Sequence, residues 1–238
     1  MAADNTPSIA RDQTFMGIMD MGQSLLTPSH KRLLAAIAQN SYLTTGFYFT
    51  GGTALAHYYL HHRYSEDLDF FTERPYDART LEIQTKKVFA ILRPGAIELE
   101  TLHEQHTYFV SVGGERIKID FAFYPFEHLG EFTKVGDLRV SSLLDIIINK
   151  VHAITTRKRG RDFLDLYLAL MKDKMTIEDI LSKYQLKFDV HVSKEELAKH
   201  FAGVLDALDQ PRFLGETPWR EVEEYFISQA KNLSLLSL

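Results

Sequence analysis

The sequence predicts an α+β protein: a small mixed β-sheet with flanking helices, followed by an all-helical remainder. Three observations predict it. Apolar residues make up 45% of the 238 residues, enough for a sizeable core and too many for wholesale disorder. Between Phe47 and Tyr124, short apolar or alternating runs are punctuated by glycine pairs and interleaved with stretches at helical spacing. After Val140 the apolar residues recur only at helical spacing. A division near 135/136 follows, with an α/β domain and its N-terminal helix in residues 1–135 and a helical C-terminal domain in 136–238. The two parts can share one core.

The elements follow in order. Residues before Pro28 are a weakly patterned arm. "SHKRLLAAIAQ" has Ser29 as a candidate cap and spaces Leu33, Leu34 and Ile37 as one helical face. Phe47–Thr50 is a short strand stopped by Gly51 and Gly52. "TALAHYYLHH" reads as a helix, Leu68–Phe71 as a strand, and "ARTLEIQTKKVFAILR" as an amphipathic helix stopped by Pro94 and Gly95. Glu98–Glu104, Thr107–Val112 and Arg116–Tyr124 read as strands, the last two joined by a hairpin at Gly113-Gly114. "SSLLDIIINKVHAITTR" begins with serine caps, and four more helices follow, in "RDFLDLYLALM", "TIEDILSKY", "SKEELAKHFAGVLDAL" and "PWREVEEYFISQA".

Composition excludes several classes. The formal net charge is -5 with pI near 6.1, so any site for a polyanion must be local. The absence of cysteine excludes disulfides and thiolate metal sites. The first residues, "MAADNTPSIARDQTF", lack an apolar signal core, and no apolar run approaches the ~20 residues of a membrane span. The expectation is a cytoplasmic protein with no membrane partner.

Chemistry concentrates in "TGGTALAHYYLHHRYSEDLDFFT", Thr50 to Thr72. On a strand, Asp67 and Asp69 point to one face, where two carboxylates repel unless a cation sits between them. A hard divalent ion, Mg2+ or Mn2+, suits oxygen ligands of this kind. The other reading is a solvated strand end. Gly51 and Gly52 lie between a strand and a helix, where bare backbone and free N–H groups can hold a phosphate, with the Thr53 hydroxyl beside them. The other reading is an ordinary turn. Taken together, a phosphate cradle and a metal-binding strand joined by one helix are what phosphoryl transfer needs. His57 and His61 sit four apart, as zinc ligands on a helix can, but the HExxH glutamate is missing and no third ligand is evident.

A second constellation lies in "NKVHAITTRKRGRDFLDLY". On a helix, Lys150, Ile154 and Arg157 project to adjoining parts of one surface. Arg157, Lys158, Arg159 and Arg161 place positive charge at a helix end, where it also complements the dipole. Asp162 and Asp165 are one turn apart.

"GGTALAHYYLHHRYSEDLDFF" resembles the signature of the nucleotidyltransferase superfamily, hG[GS], a spacer, then DhDh. More narrowly, Arg63, Ser65, Asp67, Asp69 and Phe70 resemble R-x-S-x-D-h-D-F of the AbiEii/AbiGii toxin family. The segment with Lys150, Ala153, Arg157, Arg161, Asp162, Asp165 and Leu166 is similar to that family's second motif. The resemblance covers roughly residues 47 to 170. It implies a nucleotidyltransferase-like sheet followed by a helical domain, and transfer of a nucleoside monophosphate from an NTP to an acceptor. It implies that Gly51, Gly52 and Thr53, with Arg63 and Ser65, hold the nucleotide, and that Asp67 and Asp69 bind metal. It also implies a third carboxylate on a neighbouring strand. Asp120 fits, in "RIKIDFAFYP", sharing a face with Lys118 opposite Ile117, Ile119 and Phe121. It would bind metal or take the acceptor's proton. Lys150 would bind phosphate, and Asp162 would join a polar network or act as base. Asp165, Arg157 and Arg161 would be structural or face the acceptor. The family implies a toxin with a cognate antitoxin, and an acceptor that is RNA, such as tRNA, or protein. Two rival readings are a small-molecule nucleotidyltransferase of the aminoglycoside-modifying type and a non-catalytic nucleotide-binding module.

Overall fold

A computed structural model describes residues 25–207, 209, 213–215 and 218–235. Helix α1 (Pro28–Ala38) starts one residue before the expected Ser29 cap. Pro28 has no N–H to satisfy and a φ suited to the first helical position, so Thr27 becomes the cap, accepting the His30 N–H. The Ser29 hydroxyl instead donates to the Val112 carbonyl. The weakly patterned arm before residue 25 lies outside the described residues.

After the short helix α2 (Ser41–Gly46) come strand β1 (Tyr48–Thr50) and helix α3 (Gly51–Ala54). Helix α3 runs on as a π-turn over Leu55–Leu60 and ends at His61 in the left-handed region. Strand β2 (Leu68–Thr72) and helix α4 (Ala78–Leu92) follow. Strands β3 (Ile97–Leu102), β4 (Gln105–Val112) and β5 (Glu115–Phe123) form the expected meander. A hairpin of β6 (Thr133–Val135) and β7 (Leu138–Val140) was not expected, because three-residue strands carry no readable alternation. Strand β7 pairs with β1, so the sheet runs past the division expected at 135/136. Helices α5 (Leu143–Thr156), α6 (Gly160–Asp173), α7 (Ile177–Phe188), α8 (Lys194–Ala202) and α9 (Trp219–Leu235) complete the chain.

The sheet is mixed, in the order β3-β4-β5-β2-β1-β7-β6. Register is what matters for the site. Thr50 on β1 lies opposite Asp69 on β2, Asp69 beside Asp120 on β5, and Asp120 opposite Thr107 on β4. One row of the sheet is therefore Thr50–Asp69–Asp120–Thr107. The residues flanking these acids point the other way, into the core. Phe49, Phe70 and Phe121 sit in series there, with successive ring centroids 5.2 Å apart. The pleat thus puts an aromatic stack behind the carboxylates and holds their backbone rigidly. One contiguous apolar cluster runs from Leu26 to Leu233, so sheet and helices share a core.

A buried ion pair joins α5 to α7 and to the loop before β6. Asp145 at the start of α5 and Lys187 on α7 are both fully buried, with Nζ 2.5 Å from Oδ1. Asp145 also accepts the Leu129 and Gly130 N–H groups and the Ser142 hydroxyl, and contacts the His128 ring. Burial alone would raise its pKa. The hydrogen bonds from His128 and Lys187 and the lysine charge outweigh that and hold it far below the ordinary carboxylate range. Lys187→Met leaves this carboxylate without its cation and is expected to lower unfolding free energy by about 3–5 kcal/mol, read by urea denaturation.

Candidate active site

A cavity of about 720 Å³ opens over the carboxylate row. Asp67, Asp69 and Asp120 line it, with Gly51 and Gly52 on one side and Lys150 on another, so the structure brings the two sequence constellations to one place. Asp69 takes a raised pKa of about 6, because burial and the neighbouring charges of Asp120 and Asp67 all disfavour its ionised form. Asp120 is fixed at both oxygens: the Thr107 hydroxyl donates to Oδ1 and Lys118 Nζ to Oδ2, each at 2.5 Å. Thr107 was missed in the sequence, although a two-residue turn at Gly113-Gly114 already sets it opposite Asp120. Lys118 was noted only as sharing a face with Asp120.

The glycines are required by close approach. Gly51 has φ +75, and a Cβ there would lie 2.0 Å from Asp69 Oδ2. A Cβ on Gly52 would lie 2.4 Å from Arg63 Nη2. Gly51→Ala is expected to cost about 1–2 kcal/mol from backbone strain alone and to displace Asp69, so that activity falls far more than the melting temperature. Thr53 departs from its expected phosphate-binding role. Its side chain is buried, outside the cavity lining, and its hydroxyl donates to the Asp67 carbonyl at 2.5 Å. It positions the strand that carries the acids.

Behind the cavity lies a buried charge network. Asp165 receives Arg63 through both oxygens, from Nε at 2.6 Å and Nη2 at 2.8 Å. It also receives His62 Nε2 and Lys150 Nζ, each at 2.7 Å. Burial would raise its pKa, but the Arg63 and Lys150 charges drive it well below the usual value. His62 is fully buried and its pKa is lowered, chiefly by desolvation, so a neutral ring donates to Asp165. The sequence reading singled out His57 and His61; neither the spacing nor the residue type sets His62 apart from them. Lys150 bridges onward to Asp162 Oδ1 at 2.7 Å, and Arg157 Nε reaches Asp162 Oδ2 at 2.8 Å. Burial pushes the Asp162 pKa up, yet the Lys150 and Arg157 cations bring it below normal. Asp162 thus sits in a polar network, the first of the two roles expected for it. Lys150 and Arg157 reach one carboxylate, as expected of adjoining positions, although α5 stops at Thr156 and Arg157 is its extended cap. Arg63, Ser65 and Arg161 all line the cavity.

Among the described residues, no three or more His, Cys, Asp or Glu side chains converge as a ready metal cage. The His57 and His61 rings are 6.4 Å apart, and no third such ligand joins them among the described residues. The all-oxygen donor set of Asp67, Asp69 and Asp120, crowded enough to raise Asp69, fits a hard divalent cation. No described helix is long and apolar enough to cross a membrane.

Comparisons with known proteins agree with this architecture. An uncharacterized protein of Aquifex aeolicus (strain VF5) is 30% identical over 193 residues, covering 78% of this chain and 86% of that one. The crystal structure of JHP933 from Helicobacter pylori shares the fold with TM-score 0.58 and 20% identity, over 86% of this chain and 90% of its own. A candidate nucleotidyltransferase from H. pylori superposes with TM-score 0.56 at 20% identity, over 87% of this chain and 96% of its own. Residues 32–220 match the family described as nucleotidyl transferase AbiEii toxin, type IV toxin–antitoxin system. With the paired aspartates, the third acid and the Lys150 network assembled around one cavity, the chain belongs to the AbiEii nucleotidyltransferase family.

Proposed function

We propose that this enzyme transfers a nucleoside monophosphate from a metal-bound NTP to a hydroxyl of an RNA acceptor, and acts as the toxin of a toxin–antitoxin pair. The observation that carries the reading is the row of the sheet that sets Asp69 beside Asp120, with Asp67 on the same face, at the floor of the cavity. Asp67, Asp69 and Asp120 would hold Mg2+ or Mn2+, which when bound neutralises the phosphate charge and polarises the α-phosphoryl group. Gly51 and Gly52 bring bare backbone to the cavity for the phosphates. Lys150 spends hydrogen bonds on Asp162 and Asp165 and has one more ammonium proton to offer. Arg161 adds a further cation on the cavity wall. Bond accounting is simple. The acceptor oxygen bonds to the α-phosphorus, the bond to pyrophosphate breaks, and the hydroxyl proton passes to a carboxylate, Asp120 in our assignment. Lys158 and Arg159, exposed beside the cavity, support a polyanionic acceptor, and two cations give only a local hold.

The test is to incubate the protein and Mg2+ or Mn2+ with each labelled NTP and total RNA. Label should appear on RNA with the wild type and vanish with Asp120→Asn. Label on a small molecule would replace the RNA acceptor, and no transfer to RNA, protein or small molecules with either metal would overturn the reading. Growth arrest on expression, relieved by the neighbouring gene, is the expected sign of the toxin role.

A further inference from the structure

The ammonium of Lys118 sits inside the carboxylate cluster, 2.5 Å from Asp120 Oδ2 and 3.9 Å from Asp67 Oδ2. Strand geometry explains this. Lys118 is two residues before Asp120 on β5, so both point to the cavity, and the parallel register puts Lys118 alongside the start of β2. Other lysines that meet carboxylates near the cavity or the core are locked. Lys150 is held by two buried aspartates, and Lys187 is fully buried against Asp145. The Lys118 side chain is 34% exposed and lines the cavity on a flexible stem.

We propose that Lys118 is a resident counter-ion, which occupies the seat between Asp67 and Asp120 in the metal-free enzyme and is displaced into the cavity when a divalent cation binds there. The inference rests on the metal-dependent reading above. Two cations cannot share a seat of this size, since unit charges about 4 Å apart repel strongly at a protein surface. Free protein therefore binds metal weakly. An incoming triphosphate changes the balance, because it brings negative charge that both the metal and the evicted ammonium can contact. Lys118 thus couples metal entry to nucleotide arrival, and a metal-loaded site without substrate is disfavoured. Lys118 is a positioning residue in the empty enzyme and meets phosphate only after displacement.

The experiment is a Mn2+ titration followed by electron paramagnetic resonance, without nucleotide, on wild type, Lys118→Met, Lys118→Arg and Asp69→Asn. Lys118→Met is expected to bind Mn2+ about tenfold more tightly than wild type or more, and Lys118→Arg to stay near wild type. A non-hydrolysable NTP analogue should tighten wild-type Mn2+ binding more than it tightens that of Lys118→Met. A purely structural lysine would, on removal, leave metal affinity unchanged or lower it. Equal or weaker binding by Lys118→Met, with binding still abolished in Asp69→Asn, would overturn this proposal and leave the metal site intact. Binding unaffected by Asp69→Asn would overturn the metal site and this proposal together. Lys118→Gln replaces the methionine variant should that one fail to fold.

Discussion

Asp69→Asn is expected to lower nucleotidyl transfer by about 10³-fold or more while raising the thermal stability of the metal-free protein. The two effects have one cause. Asp69 sits beside Asp120 and near Asp67 in a desolvated row, and its pKa rises from 3.8 to about 6. An acid whose folded pKa is raised costs stability when ionised. Below about pH 4 both folded and unfolded chains carry the proton and there is no penalty. Between about pH 4 and 6 the unfolded chain releases it first, so stability falls as pH rises, and above about pH 6 the full penalty remains. Asparagine keeps the shape and removes the charge, so the variant should gain about 1–3 kcal/mol at pH 7.5. Thermal melts of both proteins across pH 4 to 8 check this: the curves should converge at the acid end and separate toward neutral pH. Saturating Mn2+ should narrow the gap by stabilising only the wild type. A variant that loses activity and also melts lower throughout would show that Asp69 is structural.

Much of this site was legible because it follows local periodicity. The two-residue repeat alone places Asp67 with Asp69 and Lys118 with Asp120, away from the apolar positions. The glycine pair after β1 signalled close approach, and a Cβ on either glycine would meet Asp69 or Arg63 within 2.4 Å. What escaped depends on non-local pairing. That β2 lies parallel to β5, with β1 on its other edge, is set by the whole sheet order, and no segment of sequence states it. Spacing on α5 set Lys150 and Arg157 on one surface, and both reach Asp162 on α6, Arg157 as the extended cap after Thr156. The Thr53 hydroxyl was assigned to phosphate because a helix start favours anions. The folded chain turns it inward to the Asp67 carbonyl, a partner visible only once β2 is in place.

Asp165→Asn is expected to cost about 3–5 kcal/mol, the largest stability loss of any single substitution in the site. Arg63 is buried and Asp165 is the carboxylate that grips both its Nε and Nη2. Lys150 keeps Asp162 when Asp165 is neutralised, and His62 keeps a hydrogen-bond acceptor, so the uncompensated charge is chiefly Arg63. For a chain of this length that loss corresponds to a fall of about 6–20 °C in Tm. The pH dependence has the opposite sign to that of Asp69. The folded pKa of Asp165 is depressed, so its contribution is present above the unfolded carboxylate value of 3.8 and disappears only in stronger acid. Wild type and variant should therefore differ most at neutral pH and approach one another as pH falls below about 4. Removing the stranded cation gives the decisive comparison. Asp165→Asn with Arg63→Met should recover part of the stability, because the cost of the single change is a buried unpaired charge rather than the loss of a favourable contact. Activity should not recover with it, since Arg63 lines the cavity against Gly52. Additive losses in the double variant would mean that the pair is not coupled. The buried network would then be packing rather than the frame that holds Arg63 and Lys150 at the cavity wall.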